Sequence, residues 1–158
     1  MITQSEVKRI FVYKNGNLHW NIPKQNIQIG DIAGHVDKYG YRRVQLEYKR
    51  YRIHHLVWLY HYGYLPKMLD HINRNRDDNR LENLREVNSK QNNQNRAAHK
   101  GNSSGYKGVS FRKANNKYFA SIKVDGKSRY IGYFNTAEEA KEAYDKVAKE
   151  IHGEYFCP

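Results

Sequence analysis

Through the first third of the chain, apolar and aromatic positions come in short bursts broken by turn residues. "RIFVYKNGNLHW" sets two such runs on either side of Asn15-Gly16, a pair that suits a tight hairpin. "GYRRVQLEYKRYRIH" predicts two more strands around Tyr48-Lys49-Arg50. "HHLVWLYHYG" predicts a short helix ending at Gly63, with Pro66 just beyond. "MLDHI" and "NLREV" predict short strands, and Asn88 or Ser89 can cap a helix over "SKQNNQNRA".

Past "AAHKGNSSG", which has linker composition, the pattern changes. "YKGVSFRK", "KYFASIKV" and "SRYIGYF" predict three strands joined through Ala114-Asn115-Asn116 and Asp125-Gly126. Thr136 and Glu139 make a capping box. The helix behind it puts Ala137, Ala140, Ala143, Tyr144, Val147, Ala148 and Ile151 on one broad face. On strand alternation, Tyr118, Ala120 and Ile122 face that helix, while Phe119, Ser121 and Lys123 face away. The expected class is α+β: a small N-terminal sheet with further short elements, then a three-stranded antiparallel sheet packed on one helix. The expected domains are 1–98 and 106–158, with a linker at 99–105.

Charge sharpens this picture. The 158 residues carry a formal net charge of +12, which points to a polyanion partner; solubility alone is the plain alternative. Lysines and arginines crowd 101–137, and the acids follow it, from Glu138 to Glu154. A basic sheet backed by an acidic helix makes an oriented binder. Cys157 is the sole cysteine, so neither an internal disulfide nor a thiolate zinc cage can form. There is no bilayer-length apolar run and no signal-peptide pattern, so a soluble, cytoplasmic and not secreted protein without a membrane partner is expected.

The segment "DHINRNRDDNRLENLREVNSKQNNQN", from Asp70 to Asn95, holds the candidate chemistry. One carboxylate with amide oxygens suits Mg²⁺ or Mn²⁺ that keeps water and phosphate ligands. His71 beside Asp70 can serve as a general base near neutral pH. A polar surface loop of turn-forming asparagines is the competing reading.

This segment, with "IHHLVWLYHYG" before it, resembles the HNH motif of phage and intron homing endonucleases, across about 51–95. The resemblance implies a ββα-metal (HNH) nuclease module. It makes Asp70 and Asn92 the metal ligands, with Asn93 as the neighbouring alternative, and His71 the base that deprotonates water. Asn83 would pin the loop and orient His71. The family has a histidine where His54 stands; packing with a backbone hydrogen bond at a helix start, or a phosphate contact, comes ahead of catalysis for it. The second half resembles the APETALA/ERF-type DNA-binding domain through "YKGV", "IGYF" and "TAEEAKEAYD". That resemblance implies a sheet in the major groove, with Lys107, Arg112 and Tyr130 at DNA-contacting positions. Ser110 and Ser128 stand where other such positions fall, so the plant target sequence does not carry over. Ser121 and Lys123 join the expected contacts, as do Arg42, Arg43 and Arg52 in the first half, where an ordinary solvated hairpin competes.

The expectation is a metal-dependent endonuclease acting on double-stranded DNA, of the homing type. It would nick one strand as a monomer, with no protein partner. A non-catalytic, sequence-specific DNA-binding regulator with a decayed HNH module is the alternative, and an RNA binder a third.

Overall fold

The first element is a helix, α1 (Gln4–Ile10), where the hydrophobic pattern predicts only strands. Thr3 accepts from the Glu6 amide and Glu6 reaches back to the Thr3 amide, a full capping box. In the computed structural model, residues 2–99 and 101–158 are described; Met1 and Lys100, the latter inside the expected linker, lie outside the described residues. The chain divides into two units, Met1–Lys90 and Gln91–Pro158.

In the first unit, β1 (Phe11–Lys14) and β2 (Asn17–Trp20) form the expected hairpin on Asn15 and Gly16, both at positive φ. A Cβ on Gly16 would stand 2.9 Å from the Arg80 backbone nitrogen, so this turn lies directly against a later loop. β3 (His35–Val36), β4 (Arg42–Leu46) and β5 (Lys49–Arg52) make an antiparallel sheet. Its second turn falls at Glu47-Tyr48, one residue earlier than expected, with Glu47 at φ 52°. α2 (Ile53–Tyr62) ends at Gly63 in the left-handed region, as predicted. Ile53, Leu56 and Val57 are fully buried on it, joined by Phe11, Leu18 and Val44 from three strands. Each such side chain contributes about 1.5–3 kcal/mol. β6 (Leu69–His71) and β7 (Leu84–Glu86) pair antiparallel, with a 3-10 turn at Leu81–Asn83 before β7. Leu84 enters the α2 core and anchors this hairpin. α3 (Ser89–Asn95) follows.

In the second unit, β8 (Val109–Arg112), β9 (Lys117–Val124) and β10 (Lys127–Phe134) form a sheet in the order β10-β9-β8. α4 (Ala137–His152) packs on one face behind the Thr136 capping box. The alternation falls as predicted: Ala120 and Ile122 are buried against Ala140, Tyr144 and Ala148. The protein is thus mixed α and β, with small antiparallel sheets and one three-stranded sheet on a helix. Among the described residues no helix is long and apolar enough to cross a membrane.

Gly108 sets the depth of the Tyr144 ring. It has φ +73°, and a Cβ there would fall 2.1 Å from Tyr144 Cε2 and 2.7 Å from the Ser121 carbonyl oxygen. Gly108→Ala should therefore lower the stability of this unit by about 2–3 kcal/mol. Denaturant unfolding followed by tyrosine fluorescence measures it; a change below about 0.5 kcal/mol would refute the close approach.

Candidate active site and nucleic-acid interface

The chain between β6 and β7 has little apolar content, and side-chain amides and carboxylates hold its shape. Asn73 Oδ1 accepts from the Asn75 amide (2.8 Å), Asn75 Oδ1 from the Asp77 amide (3.2 Å) and Asp78 Oδ1 from the Arg80 amide (3.4 Å). These are successive Asx turns, which let short polar side chains replace a core. Asn83 is buried and spans the loop. Its Oδ1 accepts from the Asn73 amide (3.0 Å) and its Nδ2 donates to the Asp78 carbonyl (2.7 Å). Its own carbonyl accepts from the Ile72 amide (2.9 Å).

His71 ends β6 and is 4% exposed. Its Nε2 lies 3.1 Å from Asn79 Oδ1. Asn79 Nδ2 donates to the Asp77 carbonyl (3.1 Å), which fixes the amide so that oxygen faces the imidazole. Nε2 then carries the proton, and the lone pair of the neutral ring is on Nδ1. Burial pushes the imidazole below its ordinary range. The Asn79 bond and the Asp70 and Asp78 carboxylates oppose that shift, and Arg76 adds to it. His71 is therefore neutral at neutral pH, the form a general base requires.

Asp70, one residue before, faces Arg85 across the strands. Arg85 Nη2 and Nε both reach Asp70 Oδ2, at 2.9 and 3.1 Å. Around His71 lies an aromatic and cationic wall. The His54 ring meets it edge-on at 4.8 Å, and Tyr41 lies 6.0 Å away. Two guanidiniums approach that same Tyr41 ring, Arg52 at 4.5 Å and Arg76 at 4.9 Å. Two like charges on one ring repel, and a phosphate would relieve the repulsion.

In the other unit, the sheet face away from α4 carries Arg112, Phe119, Ser121, Lys123 and Tyr130, with Tyr130 58% exposed. Glu138, Glu139, Glu142 and Glu150 are exposed on α4, behind the sheet.

Residues 51–94 match the family model for HNH endonucleases, and residues 104–154 match the AP2 domain. Protein 3.8 of Escherichia phage T7 is 32% identical over 110 residues, or 68% of this chain and 90% of that protein. An uncharacterized HNH endonuclease of Acanthamoeba polyphaga mimivirus is 32% identical over 128 residues, or 78% of this chain and 65% of that protein. The chain belongs to the HNH endonuclease family and carries an AP2 domain. No solved structure matches it.

The HNH segment places Asp70, His71 and Asn83 on one hairpin of the first unit. Asn92, with Asn93, is on α3 in the stretch that belongs to the second unit. Among the described residues no group of three or more histidines, cysteines or carboxylates forms a metal cage. As a donor set, one carboxylate with an amide oxygen suits a hard divalent cation that keeps water and phosphate oxygens. Arg42 is paired with Asp77 through two bonds of 2.9 Å, and Arg43 Nε sits 2.5 Å from Asp37 Oδ2. Both cations tie the small sheet together or to the HNH loop. Arg52 is exposed and stacks on Tyr41. In the AP2 domain, the Lys107 ammonium caps the end of α3, donating to the carbonyls of Asn93 (3.0 Å) and Gln94 (2.6 Å).

Asn79, Arg76, Arg85 and Tyr41 escaped the sequence reading. Asn79 could have been found by asking which asparagine accepts from His71. Arg85 could have been found by placing "LDH" opposite "LRE", which sets Asp70 against Arg85.

His54 is 2% exposed, and its Nδ1 has no hydrogen-bond partner in place of the expected backbone bond. Burial, with the neighbouring His55, His71 and Arg52 charges, holds its imidazole down to about 2. The unfolded chain, with an ordinary value of about 6.5, takes up the extra proton. This contribution to stability is therefore full above about pH 6.5 and is lost as pH falls below it. The His54 ring should remain neutral by NMR at pH 4.5 while unfolding free energy drops steadily from pH 7 to pH 4.5. A charged His54 ring in the folded protein at pH 5 would contradict the assignment.

Proposed function

We propose that this protein is a metal-dependent endonuclease of the homing type that hydrolyses phosphodiester bonds in double-stranded DNA, nicking one strand as a monomer. The observation that carries the reading is His71: a buried, neutral imidazole with its proton directed to Nε2 by Asn79, on an HNH hairpin beside Asp70. In this reading β6, β7 and α3 form the ββα-metal module, 99–105 is a linker, and 106–158 selects and holds the site.

His71 Nδ1 takes the proton of the attacking water. Asn79 holds the ring against rotation as the proton arrives, and the resulting imidazolium is steadied by the nearby Asp70 and Asp78 carboxylates. Asn83 keeps the loop from opening. Arg52 and Arg76, converging on Tyr41, seat a phosphate of the bound strand. Asp70 and Asn92, with Asn93 as the neighbouring alternative, would hold Mg²⁺ or Mn²⁺. When bound, the ion supplies charge stabilisation at the phosphate and at the leaving oxygen. Lys107, Arg112, Ser121, Lys123 and Tyr130 of the AP2 domain, and Arg42, Arg43 and Arg52 of the first unit, are the DNA contacts in this reading. One Asp70-His71 centre per chain and two unlike modules in tandem favour cutting one strand, since a symmetric double cut needs a symmetric dimer.

Supercoiled plasmid carrying a bound site tests this in the presence of Mg²⁺ or Mn²⁺. His71→Ala should lower the cleavage rate on the order of 10²–10⁴-fold with DNA binding almost unchanged. Asn79→Ala should cost on the order of 10- to 100-fold through misorientation of the ring. Near-normal cleavage by His71→Ala would remove it as the base. If the intact protein binds DNA but never cleaves, the chain is a DNA-binding regulator instead.

The same plasmid should accumulate as open circles. Linear product appearing early, with a rate that rises as the square of protein concentration, would show a dimer making a double-strand break.

A further inference from the structure

The outer face of the AP2 sheet has an unusual layout. Alternation along β9 puts Lys117, Phe119, Ser121 and Lys123 on it. The register sets Arg112 opposite Lys117, Ser110 and Tyr133 opposite Phe119, Tyr130 opposite Ser121, and Ser128 opposite Lys123. Strict alternation along β10 would send Tyr130 and Tyr133 to opposite faces. The register shift between Tyr130 and Gly132 adds one residue and brings both outward. Their ring centroids then lie 5.7 and 5.4 Å from Phe119 and 5.8 Å from each other. Tyr130 and Tyr133 stay 58% and 43% exposed.

A connected group of exposed rings marks a contact surface. Cations frame it: Arg112 and Lys117 at one end, Lys123 at the other. Lys123 is six steps along β9 from Lys117, about 20 Å at roughly 3.3 Å per residue. Long cationic side chains at that spacing reach phosphates on both sides of a major groove about 12 Å wide, with the rings over the base edges. Reading guanine there needs a guanidinium or ammonium at the centre, but the centre holds rings and serine hydroxyls. The Arg112 guanidinium is stacked over the Phe119 ring, 4.9 Å from its centroid. The one apolar group that a base presents in the major groove is the thymine 5-methyl.

We propose that this face reads thymine 5-methyl groups in duplex DNA, with Phe119, Tyr130 and Tyr133 as its specificity-determining residues and the end cations as phosphate contacts. This rests on the AP2 domain acting as a duplex-DNA binder. The test uses the full chain in EDTA, with four probes: alternating dA-dT duplex, its dA-dU counterpart, alternating dG-dC duplex, and the same with 5-methylcytosine. Loss of the methyls should weaken binding about fourfold for each one buried, and adding them to cytosine should strengthen it. Phe119→Ser and Tyr130→Ser should erase the difference between dA-dT and dA-dU while the salt dependence of binding persists. Tyr130 is exposed enough that its variant stays folded if the Phe119 variant does not. Equal affinity of the intact protein for all four duplexes overturns the proposal and leaves duplex binding standing. Tighter binding to single-stranded dT than to any duplex overturns it in favour of a base-stacking platform. Absence of duplex binding overturns both this proposal and the reading beneath it.

Discussion

The HNH hairpin must hold an imidazole still without a hydrophobic core of its own. β6 and β7 are three residues each, and Leu84 is the member of the hairpin buried in the α2 cluster. What lies between is held mainly by hydrogen bonds within the loop, with Arg42 on Asp77 and Arg76 on the Tyr39 carbonyl as ties to the small sheet. Asn73, Asn75 and Asp78 close successive turns, and Asn83 ties the loop's beginning to its middle. A net hydrogen bond contributes only about 0.5–1.5 kcal/mol. A buried amide left unpaired costs more than that, so such a network is rigid when complete and fails as a unit.

The electrostatics follow from the same constraint. His71 sits against the first turn of α2, where the buried His54 ring and the Tyr41 ring enclose it. That enclosure excludes water from one side of the imidazole and keeps it neutral. Arg52 starts α2 without a side-chain cap, and Arg76 leans on Tyr41 from the loop, donating to the Tyr39 carbonyl at 2.9 Å. The wall that buries the base thus also concentrates positive charge beside it. In the proposed function these cations would draw a phosphodiester to the neutral His71 imidazole, and they also discourage protonation of the histidines.

Much of this architecture was legible in the sequence, for identifiable reasons. Asn15-Gly16, Gly63, Asp125-Gly126 and the Thr136 capping box are strong local signals, and each stands where it was read. The Thr3 to Glu6 capping box is just as plain, but the aromatic run after it dominates the window, so the pattern points to strands where α1 forms. Inward and outward residues on β9 followed from alternation alone. The second outward tyrosine on β10 did not, because a bulge is set by pairing and has no signature of its own here. In the site, Asp70 and His71 are legible as residue types, and Asn83 enters through the resemblance to the HNH motif. Asn79 and Arg85 act through who faces whom across a loop or a strand pair, which spacing along the chain does not encode.

The choice of asparagine over aspartate in the loop has a physical logic that links its fold to its chemistry. Either residue can close an Asx turn. A run of carboxylates, however, would raise the proton affinity of His71 and repel an approaching phosphate. Neutral amides close turns at Asn73 and Asn75 without either penalty. Where the loop does use carboxylates, each is matched by a guanidinium. Asp77 takes two bonds from Arg42, and Asp78 is bound by Arg80, which with the Asn73 bond holds its carboxyl at about 2. Asp70 likewise meets Arg85. The density of asparagine in this segment is then the result of two demands acting together: a loop without a core needs side-chain acceptors at close intervals, and a surface that receives DNA cannot make most of them anions.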